Sequence, residues 1–159
     1  MKTTKAKGFT LIELIVVIAI IGVLAAILVP TMLGYVTKSR CSSANANAKS
    51  FYNAINSSLV ALDSEGKDTA TYDGTAKATL DADLQTKVAN YFADYTKLDS
   101  FTVDIEKGTC TAVVIKSGAY YGSYPNVTTE DDAAAVTGKT SGYCKGGTNT
   151  PTTALAKAR

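Results

Sequence analysis

The hydrophobic pattern of this chain separates an unbroken apolar run from a longer part in which apolar and polar residues recur periodically. The run extends from Leu11 to Val29 and contains one charged residue, Glu13. A charged side chain at the centre of a membrane span costs roughly 2.5–3.5 kcal/mol on insertion scales, so such a residue usually has a partner or a task. A helix from Phe9 to Tyr35 would extend about 40 Å, which is enough to cross a bilayer.

Beyond Arg40 the apolar residues recur at intervals of three and four, which is the spacing of one helical face. They are Cys41, Ala44, Ala48, Phe51, Ile55, Leu59 and Leu62. We therefore predict that one helix continues to about Leu62, before the polar and glycine stop signals of 63–66, and that other parts of the chain cover this stripe. Asn45, Lys49 and Asn56 are expected on the opposite face, towards solvent or another molecule.

Pro30 lies inside the predicted helix. Because proline lacks an amide hydrogen and clashes with the preceding turn, it predicts a bend or local unwinding between Ala26 and Pro30.

The remaining pattern predicts a small α+β domain. Residues 68–78 indicate a surface loop, and apolar residues at helical spacing predict a second helix over 81–94. Alternation over 101–105 and 109–115, around the pair Lys107-Gly108, predicts a β-hairpin. Further strands are predicted at 119–124 and near 140–144, followed by a loose polar tail from 145.

Composition excludes several kinds of chemistry. The chain has no His, so it can form neither a Ser/His/Asp triad nor a Cys/His pair, and we predict no enzymatic activity. Glycines are placed as turn residues rather than as a phosphate-binding loop, so no cofactor is predicted. Two acidic groups, Asp81 with Asp83 and Glu130 to Asp132, could hold calcium, but they lack a regular pattern of oxygen ligands, and no metal site is predicted.

The segment Lys7-Gly8-Phe9-Thr10-Leu11-Ile12-Glu13, followed by a run of Ile, Val, Leu and Ala, resembles the prepilin signal of type IV pilins and pseudopilins. The resemblance implies a type IV pilin fold, in which a long N-terminal helix packs on a small antiparallel β-sheet. It also implies that a membrane-embedded prepilin peptidase cuts between Gly8 and Phe9 and methylates the new amino terminus of Phe9. Gly22 and Pro30 match further landmarks of the family's helix.

The same resemblance divides the chain into a leader, 1–8, a transmembrane and filament-core helix, 9–36, and a periplasmic or extracellular head, 37–159. Within the head it implies a helix continuation to about 62, a loop with the second helix over about 63–99, a sheet and C-terminal loop over about 100–144, and the tail 145–159. Removal of Lys2, Lys5 and Lys7 from sixteen basic residues leaves thirteen against fourteen acidic ones, a formal charge of −1. A near-neutral mature chain does not favour direct contact with nucleic acid.

By this resemblance the chain is expected to be the structural subunit of a type IV pilus used for adhesion, motility or DNA uptake. It would be a single-pass cytoplasmic membrane protein before assembly and an extracellular filament on the bacterial surface afterwards. Expected partners are further copies of itself, minor pilins, the prepilin peptidase, and the inner-membrane assembly platform with its ATPase motor. In the filament, Glu13 of one subunit would neutralise the amine of Phe9 in its neighbour.

Two alternatives within the resemblance remain open. The chain could be a pseudopilin of a type II secretion or competence machine. It could also be a minor adhesive pilin that binds surface glycans, for which Tyr120, Tyr121 and Tyr124 are the candidate platform; such tyrosines more often pack in a sheet or an interface.

Two simpler interpretations explain the N-terminal segment alone, without assembly into a filament. A secretory signal peptide would fit the basic start and the small residues Ala25-Ala26, but Glu13 interrupts the run and the run is too long. A plain membrane anchor would tolerate the length but gains nothing from Glu13.

Three cysteines in an exported head suggest one disulfide and one remaining thiol. The resemblance to pilins whose C-terminal loop is stapled by a disulfide favours Cys110 with Cys144. Cys41 would then be an inert core residue, and a Cys41–Cys110 bridge is the alternative because both residues could face one core.

Overall fold

The structure is a computed structural model that describes residues 8–126 and Cys144. Its helices are α1 (Leu11–Ser64) and α2 (Ala82–Tyr91), with short 3₁₀ segments at Thr69–Tyr72 and Ala93–Lys97. Its strands are β1 (Gly74–Lys77), β2 (Ser100–Glu106), β3 (Thr109–Ser117) and β4 (Tyr120–Tyr124). The chain divides into two compact units between Val36 and Thr37. The α+β class and the long N-terminal helix on an antiparallel sheet are confirmed.

The first unit contains the N-terminal half of α1, and its apolar side chains are exposed on every side of the helix. The exposed fraction of the large apolar residues in this half of α1 ranges from 45% at Val36 to 76% at Tyr35. By length and composition α1 is able to cross a membrane. A helix that is apolar all round is stable only when lipid or other protein surrounds it.

Helix α1 is continuous through Pro30, so the predicted local unwinding is not present in the structure. The hydroxyl group of the next residue, Thr31, donates a hydrogen bond to the carbonyl of Leu28 at 2.8 Å. A bend at this position stays a prediction.

The second unit, the head, has its core between the C-terminal half of α1 and one face of the sheet. All seven residues of the predicted apolar stripe are buried, which confirms the predicted face of the helix. Phe51 is fully buried, and its ring centroid lies 5.2 Å from that of Phe101, 5.6 Å from that of Phe92 and 6.0 Å from that of Tyr95. Full burial of such a side chain contributes about 1.5–3 kcal/mol, so this aromatic group is a main attachment of α1 to the head.

The four strands form one antiparallel sheet in the order β1-β2-β3-β4. The predicted hairpin is confirmed as β2 and β3, with Glu106 opposite Thr109. Its two turn residues, Lys107 and Gly108, have positive φ angles of 53° and 68°, which a two-residue hairpin turn requires. The third predicted strand is confirmed as β4.

The prediction of a surface loop over 68–78 is wrong, because this segment contains a 3₁₀ turn and the edge strand β1. Long-range hydrogen bonds hold it there: the Ala76 amide donates to the buried Asp104 carboxylate at 2.6 Å. The Asp73 carboxylate accepts from the amides of Lys107 and Gly108 at 2.8 Å each. The local sequence, Gly-Thr-Ala-Lys, lacks strand periodicity, so the tertiary contacts determine the strand.

The second helix is confirmed as α2, which ends at Tyr91 rather than at Asp94. Its buried residues Leu84 and Val88 join the core under α1. The strand predicted near 140–144 and the tail from 145 lie outside the described residues, apart from Cys144.

Candidate assembly site

The N-terminus of α1 is capped by a reciprocal contact between Thr10 and Glu13. The Thr10 amide and hydroxyl donate to Glu13 Oε2 at 2.8 Å and 2.7 Å, and the Glu13 amide donates to Thr10 Oγ1 at 3.3 Å. This is a capping box, which satisfies amide groups that the first helical turn leaves without partners. Glu13 therefore has a local task in a single chain, in addition to any intermolecular one.

The same geometry leaves Glu13 able to bind a cation. Both bonds from Thr10 go to Oε2, and Oε1 has no partner among the described residues. A carboxylate at a helix N-terminus is also favoured by the helix dipole. An ammonium group brought by another molecule could thus pair with Glu13 without breaking the cap.

Gly8 and Phe9, the predicted processing residues, precede the first residue of α1 and are exposed. Phe9 has an exposed fraction of 88%, and no atom of the residues that the structure describes lies within 4 Å of the position that a Cβ of Gly8 would occupy. The Gly8–Phe9 bond is therefore in non-helical, accessible backbone, as a peptidase substrate must be.

The residues Glu13, Gly22 and Pro30 do not form one pocket in a single chain. Glu13 and Gly22 are nine positions apart, which is about 13 Å along the helix and about half a turn around it. Gly22 lies in open space, and no described residue fills the room that its missing side chain leaves. These residues can act together only through contacts with other molecules.

The predicted disulfide between Cys110 and Cys144 is wrong, because the structure joins Cys41 to Cys144 with Cα atoms 5.6 Å apart. Cys110 is a free, buried thiol. The reason lies in the strand register. The Tyr121 amide donates to the Cys144 carbonyl at 2.7 Å, and Tyr121 is opposite Lys116 in β3.

Lys116 is six residues from Cys110 along β3, or about 20 Å at the usual rise of a strand. A disulfide needs Cα atoms within about 7 Å, so Cys110 cannot reach Cys144. Cys41 can reach Cys144, because α1 lies against β4 at the end of the sheet where Cys144 is bound. A Cβ at Gly122 would overlap the backbone carbonyl of Ala44, one helical turn after Cys41.

Sequence reasoning missed two side chains of α1 that bind the sheet. Asn45 accepts a hydrogen bond from the Ser123 amide at 3.0 Å, and Asn56 accepts one from the Cys110 amide at 2.9 Å. Both were expected to face other subunits or solvent. A glycine inside β4 was the available signal, because such a glycine marks close approach of another backbone.

Burial raises the pKa of the Cys110 thiol to about 12, with a smaller contribution from the nearby Asp104 carboxylate. The thiol is thus protonated at neutral pH and is a core residue rather than a nucleophile.

The three tyrosines proposed as a glycan platform are not on one surface. Tyr121 is buried with Ala112 and Val114, whereas the Tyr124 ring packs against Tyr52 with centroids 4.8 Å apart. Strand alternation places Tyr120 on the same face as Tyr124, and the guanidinium of Arg40 lies over the Tyr120 ring. In the part of the chain that the structure describes, the three rings therefore do not form one platform.

The acidic residues considered for calcium are engaged with lysines. Lys77 pairs with Asp81 at 2.8 Å, and its hydrogen bond lowers the pKa of that carboxyl; Lys67 pairs with Asp83. Within residues 8–126 and Cys144, no group of three potential metal ligands comes together. The acidic residues 130–132 lie outside the described part of the chain.

Comparison with known proteins finds a family match in the N-terminal segment and several similar proteins. Residues 3–29 match the family model of the prokaryotic N-terminal methylation motif. The type IV major pilin PilA of Myxococcus xanthus is 50% identical over 48 residues, which are 30% of this chain and 22% of that protein. The type IV major fimbrial protein FimA of Dichelobacter nodosus is 48% identical over 63 residues, 39% of each chain.

One similarity extends into the head. The type IV major pilin PilE1 of Neisseria gonorrhoeae is 31% identical over 115 residues, which cover 72% of this chain and 61% of that protein. The chain spans less than half the length of the first two relatives. No solved structure matches the chain significantly.

Proposed function

We propose that this chain, which belongs to the type IV pilin family, is the structural subunit of a type IV pilus and assembles with further copies into a helical filament. The observation that carries the proposal is the first half of α1, apolar and exposed on all sides, with Glu13 at its start. Such a helix needs lipid around it before assembly and other helices around it afterwards. A subunit that moves from membrane to filament core meets both needs.

The proposed maturation begins at the leader 1–8. The prepilin peptidase cuts the Gly8–Phe9 bond and methylates the amine of Phe9, leaving the filament-core helix 9–36 and the head 37–159. Lys2, Lys5 and Lys7 keep the leader on the cytoplasmic side before cleavage. The accessible, non-helical backbone at Gly8 and Phe9 supports this step.

Assembly then places the new α-ammonium of one subunit beside Glu13 of another. Each group alone would be a charge in an apolar helix bundle, and the pair removes both penalties. A buried ion pair adds little net stability but strongly disfavours any register that leaves one partner alone. Among the described residues Oε1 of Glu13 has no partner, which supports this role, and the pair would set the stagger between subunits.

The proposed partners follow from this route. They are the membrane before assembly, the peptidase, minor pilins, and an inner-membrane assembly platform whose ATPase motor supplies the work. The chain itself would bind no nucleotide and catalyse no reaction. The finished filament would lie outside the cell and serve adhesion, motility or DNA uptake.

The experiment that tests the proposal is mass spectrometry of the N-terminal peptide from filaments sheared off producing cells, compared with the cell-bound fraction. We expect abundant sheared protein that begins at N-methylated Phe9. Processed protein confined to the envelope would instead identify a pseudopilin of a secretion or competence machine. Sheared or bound protein that retains Met1 would contradict both.

A further inference from the structure

The head contains a polar cavity of about 160 Å³ between α1 and the turn that joins β3 to β4. Its lining residues are Arg40, Ser43, Ala44, Asn47, Ser117 and Tyr120. All except Ala44 carry a side chain that can donate hydrogen bonds, and none carries a carboxylate. A cavity of this size is below the range of pockets for drug-sized ligands and suits a small anionic group.

Arg40 is the charged residue of this cavity. Its guanidinium packs on the aromatic ring of Tyr120 instead of pairing with a carboxylate of a described residue. Its Cζ atom lies 5.7 Å from the centroid of the Tyr120 ring. No ion pair among the described residues involves Arg40. Asp99 does not line the cavity; its Oδ2 accepts the amide hydrogen of Gly118 at 2.5 Å.

The charge pattern of α1 adds to the attraction for anions. Between Glu13 and Asp63 the sequence has no acidic residue, and its only charges are Lys38, Arg40 and Lys49. A concave site with one sign of charge raises the local concentration of the opposite sign.

The position of Arg40 along α1 indicates where the anion comes from. Arg40 follows Val36, the last large residue of the exposed apolar segment, by four positions, or about 6 Å of helix. The hydrocarbon core of a bilayer is about 30 Å thick, and the headgroups lie immediately beyond it. A guanidinium one turn past the apolar segment is therefore at the depth of lipid phosphates.

We propose that this cavity binds the phosphate of an anionic phospholipid headgroup while the subunit is anchored in the membrane. The guanidinium of Arg40 provides the charge and paired N–H donors, and the hydroxyl and amide groups around it complete the set. The inference rests on the membrane-anchored stage of the proposed function. It implies that a lipid contact must be released when the subunit enters a filament.

The test is native mass spectrometry of the full chain released from bilayer nanodiscs that contain equal amounts of phosphatidylglycerol and phosphatidylcholine. We expect retained phosphatidylglycerol on the wild-type chain and about fivefold less on Arg40→Gln. The matched control is Lys49→Gln, which removes a charge from the same helix outside the cavity; it should lose much less lipid than Arg40→Gln, because Lys49 adds only to the diffuse attraction. Tyr120→Leu keeps the charge but removes the ring under the guanidinium, and should give an intermediate loss.

Equal losses in Arg40→Gln and Lys49→Gln would indicate diffuse charge attraction and overturn the proposal. A wild-type chain without preference for phosphatidylglycerol would overturn it as well. In a second arm, free inorganic phosphate is added to the nanodiscs; complete displacement of the lipid at equimolar phosphate would show an anion site without lipid preference. Intact Cys41–Cys144 disulfide in each variant establishes folding. Lipid retention is measured without filaments. A negative lipid result therefore does not contradict the proposed pilus function, and a failure to form filaments does not contradict the lipid site.

Discussion

Asn56 of α1 and Cys110 of β3 are joined by two hydrogen bonds between one side chain and one backbone. The Asn56 side-chain oxygen accepts from the Cys110 amide at 2.9 Å, and its amide nitrogen donates to the Cys110 carbonyl at 3.5 Å. These bonds fix the start of β3 against α1, at the opposite end of the strand from the disulfide. The helix is thus attached to the sheet at both ends of β3, by different chemistry.

We predict that Asn56→Ala destabilises the head by about 1–3 kcal/mol, because it leaves partly buried backbone groups of Cys110 without partners. The measurement is urea unfolding of the full chain in detergent, followed by near-ultraviolet circular dichroism of the tyrosines. Asn53→Ala, on the exposed side of the same helix, is the control and should change stability little. Equal effects of the two substitutions would mean that helix propensity, not the contact with β3, is responsible.

Gly122 is predicted to tolerate no side chain, because a Cβ there would overlap the carbonyl of Ala44. Gly122→Ala should therefore move β4 away from α1 and cost about 1–3 kcal/mol, as overpacking of a well-packed site does. Its effect can be measured by the same unfolding assay, with Thr109→Ala at an exposed strand position as control. A fully stable Gly122→Ala protein would show that α1 and β4 are not in close contact.

The disulfide pairing predicts a clear difference among the three cysteines. Cys41→Ser and Cys144→Ser should each remove the disulfide, whereas Cys110→Ala should leave it intact. Because the bridge closes a separation of 103 residues, the loop-entropy model gives it about 4–5 kcal/mol of stability. Peptide mapping without reductant identifies the bridge, and a peptide pair containing Cys110 would contradict the assignment.

The raised pKa of Cys110, about 12, predicts slow alkylation and a specific pH dependence. In the unfolded chain the thiol ionises near its ordinary value of 9.0, so between that pH and 12 the folded state holds the proton more tightly. Stability from this group is fully present below pH 9 and decreases as pH rises through the window to 12. The loss should be larger in the wild-type chain than in Cys110→Ala, which retains only the contributions of Lys67, Tyr95 and Lys97, whose pKa values are also raised. Iodoacetamide at pH 8.5 should modify Cys110 only after unfolding; rapid labelling of the folded chain would contradict its burial.

The sequence was sufficient to predict those elements that are determined by residues close together in the chain. The stripe from Cys41 to Leu62 predicted the buried face of α1, and Lys107-Gly108 predicted the hairpin turn, because helical spacing and positive φ angles are readable from sequence. Strand β1 was not readable, since Asp73 and Asp104 hold it through contacts distant in the chain. The disulfide was mispaired for a related reason: Cys110 and Cys41 both face the core, and only the β3–β4 register decides which end of the core Cys144 reaches.

The role of Glu13 can be separated from its capping function, because glutamine can replace glutamate in a capping box. Glu13→Gln keeps the side-chain acceptor for Thr10 but removes the negative charge that the proposed ion pair with the Phe9 amine requires. We expect this variant to insert, to be processed and to accumulate normally, yet to yield far fewer filaments, because breaking a buried pair costs about 3–5 kcal/mol per contact.

Thr10→Val is the matched variant, since it removes the hydroxyl contact and retains the charge. It should assemble at close to wild-type yield, with a loss of about 1 kcal/mol confined to the helix end. The measurement is the amount of sheared filament at equal levels of cell-bound protein. If Glu13→Gln formed filaments as well as the wild type while Thr10→Val did not, capping would be the function of Glu13 and the intermolecular pair would be excluded. The opposite result would mean that the charge, not the cap, positions one subunit against the next.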